Sequence, residues 1–330
     1  MKKILLLLFL IPCLGHTRLI PKTTREHNPA MGANSLLLYE WNNQLESKSG
    51  IDLQELYLIF GGDIPPIFNS MIFISISQDE LGKWQIDPTT AIVRTTNWEE
   101  ITLLAGRWYI DIGRHNPYFT YQFPFINQPD ILTTVFGPND LIGIGLGFEW
   151  QLPVGWKSDF YAEFTQGNNL VFFENDEENY LGDLRWENTI EFSKANKMEL
   201  SISYGRAEKQ LNVWGVDFKY TWYPHRKVLE WAGEYLAKDK YRPVAGFYTH
   251  LKSEFVKDWW LQYRFDYTGM ERDRVEPIIR RHTALIGWVP SKKMAIRMQF
   301  DSTSDGQEKN EESFLLQLNI GIGAYSENTY

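Results

Sequence analysis

The chain has a single cysteine, Cys13, in 330 residues. Past that position a disulfide framework, a zinc–thiolate centre and a thiol nucleophile are excluded. No apolar run after residue 15 reaches the ~18 residues that a membrane-spanning helix needs. Basic runs are also missing, and the formal net charge is -9. A nucleic-acid binder needs a basic patch that displaces counterions, so that class is set aside. The six histidines, His16, His27, His115, His225, His250 and His282, show no metal-ligand spacing. There is no Gly-x-Ser-x-Gly elbow and no phosphate loop. Gly143-Ile144-Gly145-Leu146-Gly147 has no strand–loop–helix unit around it and does not read as a nucleotide site. Catalytic residues, cofactors and metals are therefore assigned to no position.

Aromatic residues are what the chain has in excess: 13 Trp, 17 Tyr and 20 Phe, together 15%. Aromatics favour strands and membrane–water interfaces. Met1 to Gly15 reads MKKILLLLFLIPCLG, with two lysines, an apolar run and a small-residue end. That layout predicts a secretory signal peptide over 1–15. Pro12 before Cys13 argues against acylation. Residues 16–33 are polar, hold two prolines, and read as a periplasmic tail.

Beyond residue 33 the dominant signal is a period of two. Trp259, Leu261, Tyr263, Phe265 and Tyr267 alternate with Gln262, Arg264, Asp266 and Thr268. Trp214, Val216, Phe218, Tyr220 and Trp222 alternate with Gly215, Asp217, Lys219 and Thr221. Ile142, Ile144, Leu146, Phe148 and Trp150 alternate with Gly143, Gly145, Gly147, Glu149 and Gln151. Alternation alone fits a soluble sandwich and a membrane barrel equally, because the two differ only in which face is wet. The connections separate them. Short turns, such as 154–157, 194–197, 224–227, 256–258 and 290–293, alternate with longer acidic stretches at 167–180, 269–277 and 302–312. Tryptophans gather at the short-turn ends: Trp98, Trp150, Trp156, Trp222, Trp231, Trp259, Trp260 and Trp288. A girdle at headgroup level explains that placement, and a core does not.

The reading is an all-β, up-and-down antiparallel transmembrane barrel over 34–325, with 326–330 as a C-terminal tail. About sixteen strands are predicted, near 34–41, 51–60, 68–78, 84–96, 101–113, 140–152, 158–166, 182–194, 198–206, 211–223, 228–238, 243–256, 258–270, 278–290, 294–303 and 312–325. An even count puts both termini in the periplasm of a bacterial outer membrane, and about sixteen strands leave an aqueous lumen. The gap 114–139 would be the third extracellular loop. It holds Tyr118, Phe119, Tyr121, Phe123, Phe125, Ile126 and Phe136, too apolar for a loop in water, so it is expected to fold into the barrel. Gln128 to Leu132 opens a short helix there. The glycines at 143, 145 and 147 either leave room for this loop or ease curvature.

The runs Ala105-Gly106-Arg107-Trp108, Gly113-Arg114-His115-Asn116, Phe123-Pro124-Phe125-Ile126-Asn127-Gln128-Pro129 and Phe136-Gly137-Pro138-Asn139-Asp140 resemble a family of porin-like bacterial outer-membrane proteins, often labelled zinc-regulated outer-membrane receptors. The resemblance covers about residues 100–225. It implies an outer-membrane barrel. Many of its members carry a His-x-His pair where this chain has Phe119 and Tyr121, which offer no imidazole, so a zinc role does not carry over.

The functional expectation is passive diffusion of small hydrophilic solutes or ions, with outer-membrane lipid as the surroundings. The predicted pore lining is Arg107, Asp111, Glu149, Arg185, Glu187, Asp217, Lys219, Glu234, Arg264, Asp266 and Arg297. The predicted constriction uses Asn116, Phe119, Tyr121, Phe123, Asp130 and Phe136. Acidic candidates outnumber basic ones, which predicts weak cation preference. Two alternatives stand beside it: a surface-binding or structural barrel without conductance, and an outer-membrane barrel enzyme. A homotrimer and a monomer both fit the sequence.

Overall fold

The computed structural model describes residues 29–43, 50–78, 82–96, 98–138, 140–167, 169, 171–173, 180–208, 211–224, 227–239, 243–270, 278–306 and 310–327. The expected leader 1–15, most of the tail 16–33, and the acidic stretch 271–277 lie outside these residues.

Sixteen antiparallel strands close into one barrel, each paired with its sequence neighbours and β1 with β16. They are β1 (Ala30–Asn42), β2 (Gly50–Ile64), β3 (Phe68–Gln78), β4 (Trp84–Thr95), β5 (Ile101–Tyr109), β6 (Ile142–Gln151), β7 (Lys157–Gln166) and β8 (Tyr180–Ser193). The second half is β9 (Asn196–Ala207), β10 (Asn212–Trp222), β11 (Leu229–Asp239), β12 (Val244–Val256), β13 (Trp259–Thr268), β14 (Ile279–Ser291), β15 (Met294–Ser304) and β16 (Glu311–Gly323). One short helix, α1 (Asp130–Phe136), lies between β5 and β6. Among the described residues no helix is long and apolar enough to cross a membrane. Closure leaves no strand edge, which is what a sheet in hydrocarbon requires.

Among the boundaries that differ from the sequence reading are those at the two ends of the barrel. β1 starts at Ala30, because Gly32 and Ala33 continue the ladder opposite Gly323 and Ile322. β16 ends at Gly323, so Tyr325 is not a strand residue.

The two faces carry opposite chemistry. Outward side chains such as Ile144 (57% exposed), Leu146 (66%), Ile202, Val216 and Leu261 are open to the surroundings. Inward side chains such as Arg264 (0%), Asp266, Arg297 (1%) and Asp217 are closed off. A soluble sandwich would reverse this. Trp98, Trp150, Trp156, Trp222, Trp231 and Trp259 are exposed at the short-turn end. Trp260 is the exception. It faces inward, and the Lys252 ammonium lies 4.7 Å from its ring centre.

The lumen wall is divided. From β1 to β5 it is largely apolar: Leu36, Tyr57, Ile59, Met71, Phe73, Ile92, Leu104 and Trp108 belong to one buried cluster. From β7 to β13 it is mostly ionisable, with Asp183, Arg185, Glu199, Asp217, Glu234, Arg264 and Asp266 all buried. The segment between β5 and β6 joins the two halves.

Candidate functional site: the loop lodged in the lumen

Residues 110–141 leave β5, run inside the barrel and return to β6. A backbone bond from Ile110 N–H to the Leu141 carbonyl (3.0 Å) closes the base of this loop. Asn116 clasps the same point. Its Nδ2 donates to the carbonyls of Ile110 (2.7 Å) and Leu141 (3.0 Å), and its Oδ1 accepts from Leu141 N–H (2.8 Å). The clasp is fully buried.

Gly113 sets the turn before it, with φ +73. In that conformation the backbone N–H groups of Arg114 and His115 point at one carboxylate, Glu234, at 3.1 and 3.2 Å. Tyr248 Oη donates to the same group (3.1 Å). A Cβ on Gly113 would collide with that carboxylate, so position 113 requires glycine for both its dihedral and its space. Arg114 then reaches the charged wall. Its Nε donates to Asp217 Oδ1 (3.0 Å) and its Nη1 to Glu199 Oε2 (2.8 Å). Burial disfavours the charge, but Asp217 and Glu199 outweigh it and hold the guanidinium protonated. The His115 imidazole is pushed well below its ordinary value by burial, with Arg264 and His250 adding to it, so the ring is neutral.

The next stretch packs on the apolar half. Phe119 stacks on Phe73, centroids 4.1 Å apart, and meets Tyr57 and Tyr109 edge-on. Tyr121, in a short 3-10 turn (Thr120–Gln122), sits edge-on to Tyr57 at 5.3 Å. Phe119 and Tyr121 thus act as apolar anchors of the loop.

The chain then crosses to β13–β16, where its carbonyls meet two arginines. Arg297 Nη1 donates to the Phe123 carbonyl (2.6 Å), and Arg264 Nη1 to the Asn127 carbonyl (2.9 Å). Phe125 lies under the Arg264 guanidinium, 4.8 Å away. Ile126 N–H donates to Gln299 Oε1 (2.8 Å), and Asn127 Nδ2 to Asp301 Oδ2 (2.9 Å). At the start of α1, Asp130 pairs with Arg281 (2.7 Å), while its N–H donates to Asp266 Oδ1 (3.1 Å). Burial pushes the Asp130 carboxyl up to about 6, against the pull of Arg281. Burial also raises Asp140, whose carboxylate accepts from Gln128 Nε2 (2.7 Å).

The helix is held by hydrophobic packing. Ile131, Leu132, Val135 and Phe136 are fully buried in one cluster with Phe172, Leu181, Leu236, Val244 and Tyr248. Phe172 and Phe173 belong to the following long connection, whose Asn169 donates to the Asp140 carbonyl (2.7 Å). Gly143 leaves room for Ile110, while Gly147 faces Leu104 and Gly145 lies tight on the β7 backbone.

Most of the expected lining residues lie on inward strand positions: Glu149, Arg185, Glu187, Asp217, Lys219, Glu234, Arg264, Asp266 and Arg297. Arg185, Asp217, Lys219 and Arg114 come together around Glu199. Arg185 Nη1 is 2.9 Å from Asp217, and Lys219 Nζ is 3.1 Å from Glu199. Arg107 stands apart from that group. It pairs with Asp87 on β4 (3.1 Å), whose ladder partner Ser75 is buried, and both stay partly exposed toward the long-loop end. Asp111 is not on the wall at all. It lies past the end of β5, within the loop, and its N–H donates to Glu163 Oε2 (3.1 Å). Glu199, Gln299 and Gln317 were not singled out as site residues. Inward parity on their strands is the signal that finds them.

No family model matches the chain. An uncharacterized protein of Aquifex aeolicus is 21% identical, with 88% of this chain and 72% of that protein covered. Pseudomonas putida OprB superposes with a TM-score of 0.61 at 9% identity, over 89% of this chain and 93% of its own. An anion-selective porin from Comamonas acidovorans gives 0.60 at 8%, over 89% and 98%. A loop-L8 deletion mutant of the outer membrane protein OmpT of Vibrio cholerae gives 0.59 at 7%, over 88% and 98%. At these identities the likeness is one of fold: the chain is a closed sixteen-strand antiparallel barrel with the fold seen in outer-membrane porins.

Proposed function

We propose that the chain is a porin-like, non-enzymatic channel of a bacterial outer membrane for small hydrophilic solutes or ions, with loop 110–141 setting the aperture. The observation that carries this is the pairing of an apolar exterior with an ionisable interior in a closed sixteen-strand barrel. Such a barrel encloses water wherever its interior is not filled. The leader 1–15 would be removed on export, leaving the tail before Ala30 in the periplasm. A homotrimer is part of the proposal, tested by cross-linking in detergent.

Weak cation preference follows from the acidic excess of the lumen. It falls to the charges that keep contact with solvent toward the short-turn end. Among them are Glu149, Glu187 (20% exposed), Glu191 and Glu230 against Lys157, Lys197 and Lys219. The Arg107–Asp87 pair at the other end carries one charge of each sign and adds no net preference. A planar bilayer separating two KCl concentrations reads both conductance and selectivity. Discrete conductance steps and a reversal potential of cation sign support the channel. A folded barrel that never passes current overturns it.

One observation favours a second reading. At mid-height Arg264, Thr283, Arg297, Gln317 and Asn319 are at most 1% exposed, so the docked loop leaves that stretch of wall dry. A structural barrel without conductance would look this way. The same bilayer experiment separates the two.

A further inference from the structure

The described residues after β16 turn back toward the barrel. β16 makes its last ladder contact where Ala324 N–H donates to the Met31 carbonyl (2.9 Å). The chain then turns into the lumen. Tyr325 has φ +61, a conformation a bulky residue holds only where its surroundings fix it. Ser326 is fully buried. The seat is shaped by missing side chains. A Cβ on Gly61 of β2 would come within 2.8 Å of the Tyr325 ring, and one on Gly321 of β16 would collide with the Ser326 carbonyl. Both glycines face inward, Gly61 in the parity of Tyr57 and Ile59, and Gly321 opposite buried Asn34.

The tail also touches the loop. Tyr325 packs on the cluster that holds Tyr57, Met71, Phe73 and Tyr121, and Tyr121 Oη donates to the Tyr325 carbonyl (3.3 Å). Outside the seat, Glu327 pairs with Lys292 at the exposed rim (3.3 Å). The buried Asn34 amide lies on the same inward face, opposite Gly321.

We propose that residues 324–326 are an intramolecular stopper. They fill the short-turn mouth of the lumen beside β1, β2 and β16, and through Tyr121 they latch loop 110–141 in its docked position. This rests on the channel reading, and the test separates the two. Ser326→Cys and Glu327→Cys variants of the full chain are folded in detergent and labelled with a bulky water-soluble maleimide. The chain's own cysteine, Cys13, lies in the expected leader. Seating predicts that the thiol introduced at position 326 labels at least tenfold more slowly than the one at position 327. Gly321→Val or, independently, Gly61→Val should remove that protection and raise single-channel conductance at least twofold. Gel mobility of the unheated barrel confirms that each variant is folded, and two variants guard against one failing to assemble.

Equal labelling at the two positions in the parent barrel overturns the seat. Fast labelling at position 326 in the valine variants with conductance unchanged overturns the obstruction. Current through none of the barrels overturns the channel reading and the obstruction with it, while the labelling still reports on the seat.

Discussion

Replacing Asn116 with alanine should release the lumen loop while leaving the barrel intact. The clasp makes three buried hydrogen bonds to two backbone sites. Both carbonyls it serves keep a second donor: Ile110 O accepts from Ile112 N–H (2.9 Å), and Leu141 O from Ile110 N–H (3.0 Å). Leu141 N–H keeps none of its bond to Oδ1. A buried N–H stranded in this way costs ~1–3 kcal/mol, and each lost donation to an already bonded carbonyl adds a smaller net amount. The sum is about 2–4 kcal/mol. At 1.4 kcal/mol per factor of ten, the open population of the loop should rise roughly 30- to 700-fold.

Hydrogen exchange read by mass spectrometry measures that population directly. Peptides from 110–141 should exchange faster by that factor, and peptides from β9 to β13 should not change. Asn116→Asp separates hydrogen bonding from volume. It is nearly isosteric and keeps an acceptor for Leu141 N–H, but it puts a negative charge beside two carbonyl oxygens. Its loop should open at least as much as that of the alanine variant. Exchange of 110–141 within threefold of the parent rate in both variants would refute the argument, because the loop would then be held by its apolar contacts alone.

Three further outcomes are expected. Gly113→Ala should weaken loop docking by about 2 kcal/mol or more, since the new Cβ meets the Glu234 carboxylate at a φ that L-residues avoid; limited proteolysis should then cut within 110–141. Arg114→Met should lower the unfolding midpoint, with a loss of ~3–5 kcal/mol as the upper bound for breaking a buried pair, because Arg185, Lys197 and Lys219 still face Asp217 and Glu199. Asp217→Asn in that background should restore part of the midpoint, and no recovery would mean the loss is packing. Asp130 gives a pH dependence. Its folded value, raised to about 6, exceeds the ordinary 3.8, so its stabilisation of the docked loop is complete below about pH 4 and lost as pH rises through 6. Asp266, Asp301, Arg264 and Arg281 face it, and Asp130→Asn should flatten the change in loop exchange between about pH 4.5 and 7.5.

The barrel was legible from β6 onward because each strand there has one greasy and one polar face. Trp214 to Trp222 and Trp259 to Thr268 follow the alternation, down to which residues point inward. The first strands were less legible for a physical reason. Leu56, Tyr57, Leu58, Ile59 and Phe60 are apolar at every position, because β2 meets hydrocarbon on one side and the loop's aromatic anchors on the other. A strand covered on both faces loses its period of two. The inward course of the loop could be read from its aromatics, but the role of Gly113-Arg114-His115-Asn116 could not. Gly113, Arg114 and His115 work by backbone direction and by partners on β9 to β11 that are distant in sequence, and Asn116 by clasping the base of its own loop. The strand pattern also ran too far at Asp111, because β5 stops at Tyr109 and the chain leaves the wall before that carboxylate.

The division of the lumen explains why a charge count along the chain is a poor guide to the selectivity of the proposed channel. Arg264 and Arg297 stand on the wall, yet their guanidinium groups face the carbonyls of Asn127 and Phe123, the amide of Gln317 and the carboxylate of Asp266. Arg114, Arg185, Glu199 and Asp217 close on one another. Buried and mutually compensated, these groups hold the loop's polar edge while Phe119 and Tyr121 hold its apolar edge against β2 and β3. A charged group sets selectivity only where a hydrated solute can approach it. The inward arginines Arg264 and Arg297 therefore hold the loop in place, and in the proposed channel they would set the width of the passage only through it. In the proposed channel the sign of the preferred ion would be left to partly exposed groups nearer the short-turn mouth, among them Glu149, Glu187, Glu230, Lys197 and Lys219.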